Sequence, residues 1–174
     1  MSSVYISRTN QKLNFARLHL DQLKGARESV GWSKHALVES FNESVLFHLA
    51  CAYGSLLREI AEVYRAEPAS IDSLEQLEVA LSAQGVETPE VRELKQLLAA
   101  EGWLSAMLGA YNACWSAEDR VQAQSASHAS LSEIHVIQVN PDHNEEGAVI
   151  EQLEQWLDGF RELVDRLRAS MKEW

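Results

Sequence analysis

The sequence predicts an all-α, single-domain bundle of about five helices around a long apolar central helix, with a long extended connection before the last helix. Three observations carry that prediction. From Ser33 to Arg65 the chain holds no proline and one glycine, enough for about 45–50 Å of helix at 1.5 Å per residue. From Val45 to Leu57 nearly every turn offers Val, Leu, Phe, Ala, Cys or Tyr on more than one side, so neighbouring helices must cover it. Elsewhere, apolar positions repeat at three and four, the helical period. At 174 residues the chain suits one domain, residues 1–174, and such a domain buries roughly 70% of its unfolded surface.

In chain order, residues 1–8 read as an N-terminal arm whose Val4, Tyr5 and Ile6 can tuck against the bundle. The first helix starts at Ser7 or Thr9, either of which can cap its amides. It carries Leu13, Ala16, Leu20 and Leu23 on one stripe and stops near Gly25. Gly31 and Trp32 turn the chain and Ser33 caps the central helix, which ends around Arg65 because Pro68 disfavours helical geometry at Glu67. Asp72-Ser73-Leu74-Glu75 fits a capping box with Asp72 as the cap. It opens a short helix through Leu77 and Leu81 that Gly85 closes. Thr88 caps the next helix, with Pro89 at its first position. That helix is expected to run unbroken through Leu94, Leu104 and Leu108 to about Arg120, weakened locally by Gly102 and Gly109. Residues 121–144 lose helical periodicity and read as an extended connection, with Ile134 to Val139 laid over the bundle. The last helix begins near Asn144 or Glu145 and runs through Ile150, Leu153, Trp156, Leu157, Phe160, Leu163 and Leu167. Acidic residues crowd its start and basic ones its end, as the macrodipole favours.

Charge narrows the function classes. A net charge of −11 disfavours nucleic acid as a partner, because backbone affinity rests on Lys and Arg neutralising phosphates. The charge is uneven. Residues 1–35 carry Arg8, Lys12, Arg17, Lys24, Arg27 and Lys34 against Asp21 and Glu28, a net of +4, which leaves −15 for the remainder. The plainer reading is a positive first helix packed on acidic neighbours, with Arg17-Asp21 and Lys24-Glu28 paired four apart. The sharper reading is a basic face offered to an acidic partner. No apolar stretch reaches the 18 or more residues of a spanning helix, so no membrane role is expected. Two cysteines, Cys51 and Cys114, in helical apolar surroundings and no signal-peptide pattern point to reduced thiols in the cytoplasm.

No motif commits the chain to chemistry. Di-iron bundles need Glu-x-x-His pairs, and none occurs. Glu39 and Glu43 share a helix face, but His48 lies nine and five residues on and is turned away by a good part of a turn. His128, His135 and His143 lack the tight ligand pairs that mark zinc, so neither a metal nor another cofactor is expected. Nucleic-acid-cleaving bundles of the HEPN type place a His a short step after an Arg. Arg27 to His35 and Arg120 to His128 have seven residues between them, one more than that spacing. These four residues are the catalytic candidates of the alternative reading, a HEPN-like nuclease or hydrolase. Serine appears in no G-x-S-x-G context. Trp174 ends an amphipathic helix and is expected to dock at a helical interface.

Ser7 to Ala16, the segment Glu43-Ser-Val-Leu-Phe-His48-Leu, and the closing Trp156, Arg166-Leu167-Arg168 and Glu173-Trp174 resemble a family of small uncharacterised proteins from Pseudomonas and related gammaproteobacteria. That resemblance implies a bacterial cytoplasmic protein and supplies no activity. Within its segments the binding candidates are Arg8, Asn10, Gln11, Lys12, Glu43 and His48, with Trp174. The plainer reading makes the first six a polar network fixing the first helix on the central one. The function expected overall is a non-enzymatic cytoplasmic interaction or regulatory protein with a protein partner, forming a homodimer. A third reading is a small-ligand bundle with an apolar pocket between the central helix and the last two helices.

Overall fold

The computed structural model describes residues 4–99, 101–116 and 146–172. Arg120, His128, Trp174, the connection at 121–144 and residues 1–3 of the expected arm lie outside them. The described chain is all-helical and strand-free, with six α-helices: α1 (Val4–Arg27), α2 (Lys34–Val63), α3 (Leu74–Ala83), α4 (Pro89–Ala99), α5 (Trp103–Ala113) and α6 (Glu146–Met171). A 3₁₀ turn at Pro68–Ser70 joins α2 to α3. No helix among the described residues is long and apolar enough to cross a membrane.

Three boundaries depart from the sequence reading. The first helix begins at Val4, so residues 4–8 of the expected arm are helical, and Thr9 is not a cap. Its hydroxyl, buried in the helix, donates to the Tyr5 carbonyl at 2.9 Å. The helix expected to run from Thr88 to Arg120 is two helices. Gly102 adopts an extended conformation (φ −97°, ψ 176°) and starts α5 afresh, which takes the count past five. The cap of α3 is Ser73, one residue later than expected: its Oγ accepts from the Gln76 amide at 3.2 Å, while Gln76 Oε1 accepts from the Asp72 amide at 2.6 Å. Other signals act as read. Thr88 Oγ1 accepts from the Val91 amide at 3.2 Å, and Gly85, at φ +72°, closes α3 with Val86 N donating to the Leu81 carbonyl. Arg65, at φ 59°, is a left-handed position without glycine, just past α2.

α1 and α2 form a long hairpin, and α2 also packs against α3, α5 and α6. Its buried residues begin at Val45 and include Leu49, Leu56, Leu57 and Ile60. They meet Leu13, Leu20 and Leu23 of α1 and Phe160, Leu163 and Leu167 of α6 in one core. Burial of each such side chain contributes roughly 1.5–3 kcal/mol. Cover is uneven around α2: no residue from Lys34 to Ser44 is buried, and Phe47 is 44% exposed. The outer side of the hairpin is therefore open along part of its length.

Candidate functional site

Arg168, near the end of α6, reaches across the bundle to Glu59, which is 0% exposed on α2. Its Nε donates to Glu59 Oε1 at 2.6 Å and its Nη2 to Oε2 at 3.0 Å. The other guanidinium nitrogen, Nη1, donates to Asn10 Oδ1 at 2.8 Å. Two charges removed from water are tolerable only with such bidentate geometry and further hydrogen bonds. The arrangement ties α1, α2 and α6 together, with Asn10 Oδ1 as one of its acceptors.

A second cluster lies on the outer side of the hairpin. Lys12 is 7% exposed. Its ammonium sits 5.1 Å from the centroid of Phe47 and 5.8 Å from that of Phe15. His48 packs edge-on against Phe15 (5.4 Å), Phe47 (5.3 Å) and His19 (4.8 Å), and His19 in turn against Phe41. The helical period explains the gathering, since Lys12, Phe15 and His19 stand three and four apart on α1, as do Phe41, Ser44 and His48 on α2. Burial, then the charge of Lys12, the neighbouring His19 imidazole and the charge of Arg8, hold His48 down at about 4, so its imidazole is neutral at pH 7. The Nδ1 atoms of both His19 and His48 are buried without a hydrogen-bond partner. No carboxylate pairs with Lys12 among the described residues. The cluster can attract an anion and offer an aromatic surface beside it; with its positive field it is ill suited to a metal cation.

The remaining candidates are scattered. Arg8 donates to Gln11 at 2.6 Å on the surface of α1. Glu43 is parted from His48: its charge, after burial, raises the thiol pKa of Cys114 near the end of α5. Arg27 lays its guanidinium against Gly147 on α6, while His35 stands in the first turn of α2, and no hydrogen bond joins the two among the described residues. The charges of α1 follow neither sequence reading fully. Arg17 pairs with Asp21 as expected, at 3.0 Å, but Lys24 reaches Glu154 on α6 instead of Glu28. Groups of three or more His, Cys, Asp or Glu able to hold a metal do not occur among the described residues. Grooves open to solvent run between α3 and α4 (about 400 Å³) and along α1 and α6 (about 230 Å³).

Sequence reading missed Phe15 and Phe47 as neighbours of Lys12. The step of three from Lys12 to Phe15 was legible within one helix, whereas Phe47 comes from α2 and needed the hairpin to fold. A family model spans residues 1–174. The chain belongs to DUF6586, a family of unknown function. No curated protein and no solved structure matches the chain. Membership in DUF6586 assigns no reaction and no ligand, so the Lys12 cluster has to be interpreted from its own chemistry.

Proposed function

We propose that this DUF6586 protein is a non-enzymatic, cytoplasmic binding module and that a protein partner docks on the outer face of its α1–α2 hairpin. The observation that carries this reading is Lys12, whose stem is covered while its ammonium, without a carboxylate among the described residues, lies over an aromatic ring that is itself 44% exposed. A cation–π contact returns about 0.5–2 kcal/mol, and an anion on a partner adds a charge pair that no described carboxylate supplies. Leu37, 41% exposed on the face of α2 that carries Phe41 and His48, extends the apolar surface. Free thiols at Cys51 and Cys114 fit a reducing compartment.

A second copy is a poorer occupant. The ring neighbours of Lys12, Phe15 and Phe47, bring no carboxylate, and Glu43, exposed one turn before Phe47, lies towards Cys114 of α5, so two-fold pairing about these rings sets cation against cation.

The test is site-specific photocrosslinking in cells, with a benzophenone amino acid placed at Phe47 or, as a control, at Val79, which is 69% exposed on α3. A discrete adduct with a different protein at position 47, absent at 79, supports the reading. Adducts of equal yield at both positions, or an adduct with twice the chain's mass at 47, contradict it.

A further inference from the structure

Resting on that reading, we infer that Lys12, which shares the rings of Phe15 and Phe47 with His48, is a receptor for a carboxylate carried next to an apolar side chain on the partner. Four observations converge on this chemistry. The stem of Lys12 is covered, the residue being 7% exposed, and no carboxylate lies on its ammonium among the described residues, so the positive charge is open to an anion from outside. Its ammonium lies 5.1 Å from the centroid of Phe47, and Phe47 is open to solvent, so a side chain landing on the ring reaches the ammonium. The charged and titratable groups that act on His48 are Lys12, His19 and Arg8, all of which disfavour its protonation; the local field is positive in a chain whose net charge is −11. The two imidazoles, 4.8 Å apart, each keep a buried Nδ1 without a partner, polar capacity that a reoriented ring can direct to an oxygen.

A single carboxylate suits the site better than a phosphate dianion. Only one full charge lies over the rings there, because Arg8 is exposed and already holds Gln11, and the second charge of a phosphate would lack a partner beside the aromatic surface. The aromatic rings supply the other half of the recognition: an apolar group beside the carboxylate covers Phe47 and excludes water from the ion pair, which strengthens it. Charge complementarity thus selects an acidic, apolar segment of a protein, and the excess of positive charge on this face speeds its approach.

Phenylacetate carries both features in one small molecule and serves as the probe, followed by the ring-proton NMR signals of His19 and His48. A saturable shift is expected, with a dissociation constant on the order of millimolar for a ligand of this size. Benzyl alcohol, its uncharged analogue, should give no saturable shift. Lys12→Met should weaken phenylacetate at least tenfold, and Phe47→Ala, at a position 44% exposed, should weaken it several-fold. Equal responses to phenylacetate and benzyl alcohol, an unchanged response in both variants, or inorganic phosphate binding as tightly as phenylacetate overturns the inference. The photocrosslink at position 47, repeated in Lys12→Met, separates the two claims. An adduct that survives the substitution leaves the docking face standing and removes the carboxylate from it.

Discussion

At the scale of single residues, two arginine and lysine side chains are treated oppositely by the same fold. Arg168 is given a buried carboxylate in bidentate geometry, with Asn10 and the Ile6 carbonyl taking two of its three remaining donors. Lys12 is given aromatic rings. The first arrangement is structural, and its energetics follow from what is left behind when one partner goes. Arg168→Met strands the Glu59 carboxylate in the core and should cost about 3–5 kcal/mol. The double change Glu59→Leu with Arg168→Met leaves no charge behind and should recover most of that loss, as urea titration of the variants will show. Destabilisation equal to the sum of the single changes would mean that the pair is not a unit. His48 offers a second reading at this scale. Its folded pKa of about 4 lies below the unfolded value of 6.5, so the folded state resists a proton that the unfolded chain accepts. Stability is therefore complete above pH 6.5 and is lost progressively as pH falls towards 4. The urea midpoint should fall between pH 7 and pH 5, and His48→Gln should lessen that fall; an identical pH dependence in the variant would contradict it.

At the scale of elements, each helix boundary rests on a few atoms, and the sequence exposed them unequally. Thr88 was legible as a cap because a hydroxyl before Pro89 and Glu90 has a local purpose, and the Val91 amide takes it. Thr88→Ala should cost about 1 kcal/mol, and Gly85→Ala about the same again, since φ +72° is a conformation that a Cβ penalises by roughly 1–2 kcal/mol. Thermal melts of the two variants check both, and a melting point unchanged in either removes that residue's role. Gly102 was harder to read. A glycine inside a periodic stretch is compatible with a continuous helix or with a break, and only the packing of α5 against α2, α4 and α6 decides for the break. The start of α1 was missed for a related reason: Ser7 and Thr9 have the chemistry of caps, yet Thr9 turns its hydroxyl back onto Tyr5 within a helix already under way.

At the scale of the whole molecule, periodicity revealed what faces the core but not what meets across it. The stripe from Ile150 to Leu167 is buried as its spacing required. The pairing of Glu59 with Arg168 joins residues 109 apart, and no local pattern announces it. Similarly, the separation of Glu43 from His48 follows from their angle around one helix, whereas the meeting of His48 with His19 needed the hairpin to fold. Lys12 is legible as a polar residue of α1, but its role depends on the entire structure: a bundle with an ample apolar core tolerates a cation that no described carboxylate pairs. That claim is tested most directly by the stability of Lys12→Met, a change that keeps the side-chain volume and removes the charge. The account predicts a higher urea midpoint than wild type, by about 1 kcal/mol or more in unfolding free energy, together with loss of phenylacetate binding. A midpoint lowered by the substitution would show that Lys12 serves the fold, and the docking face would lose its foundation.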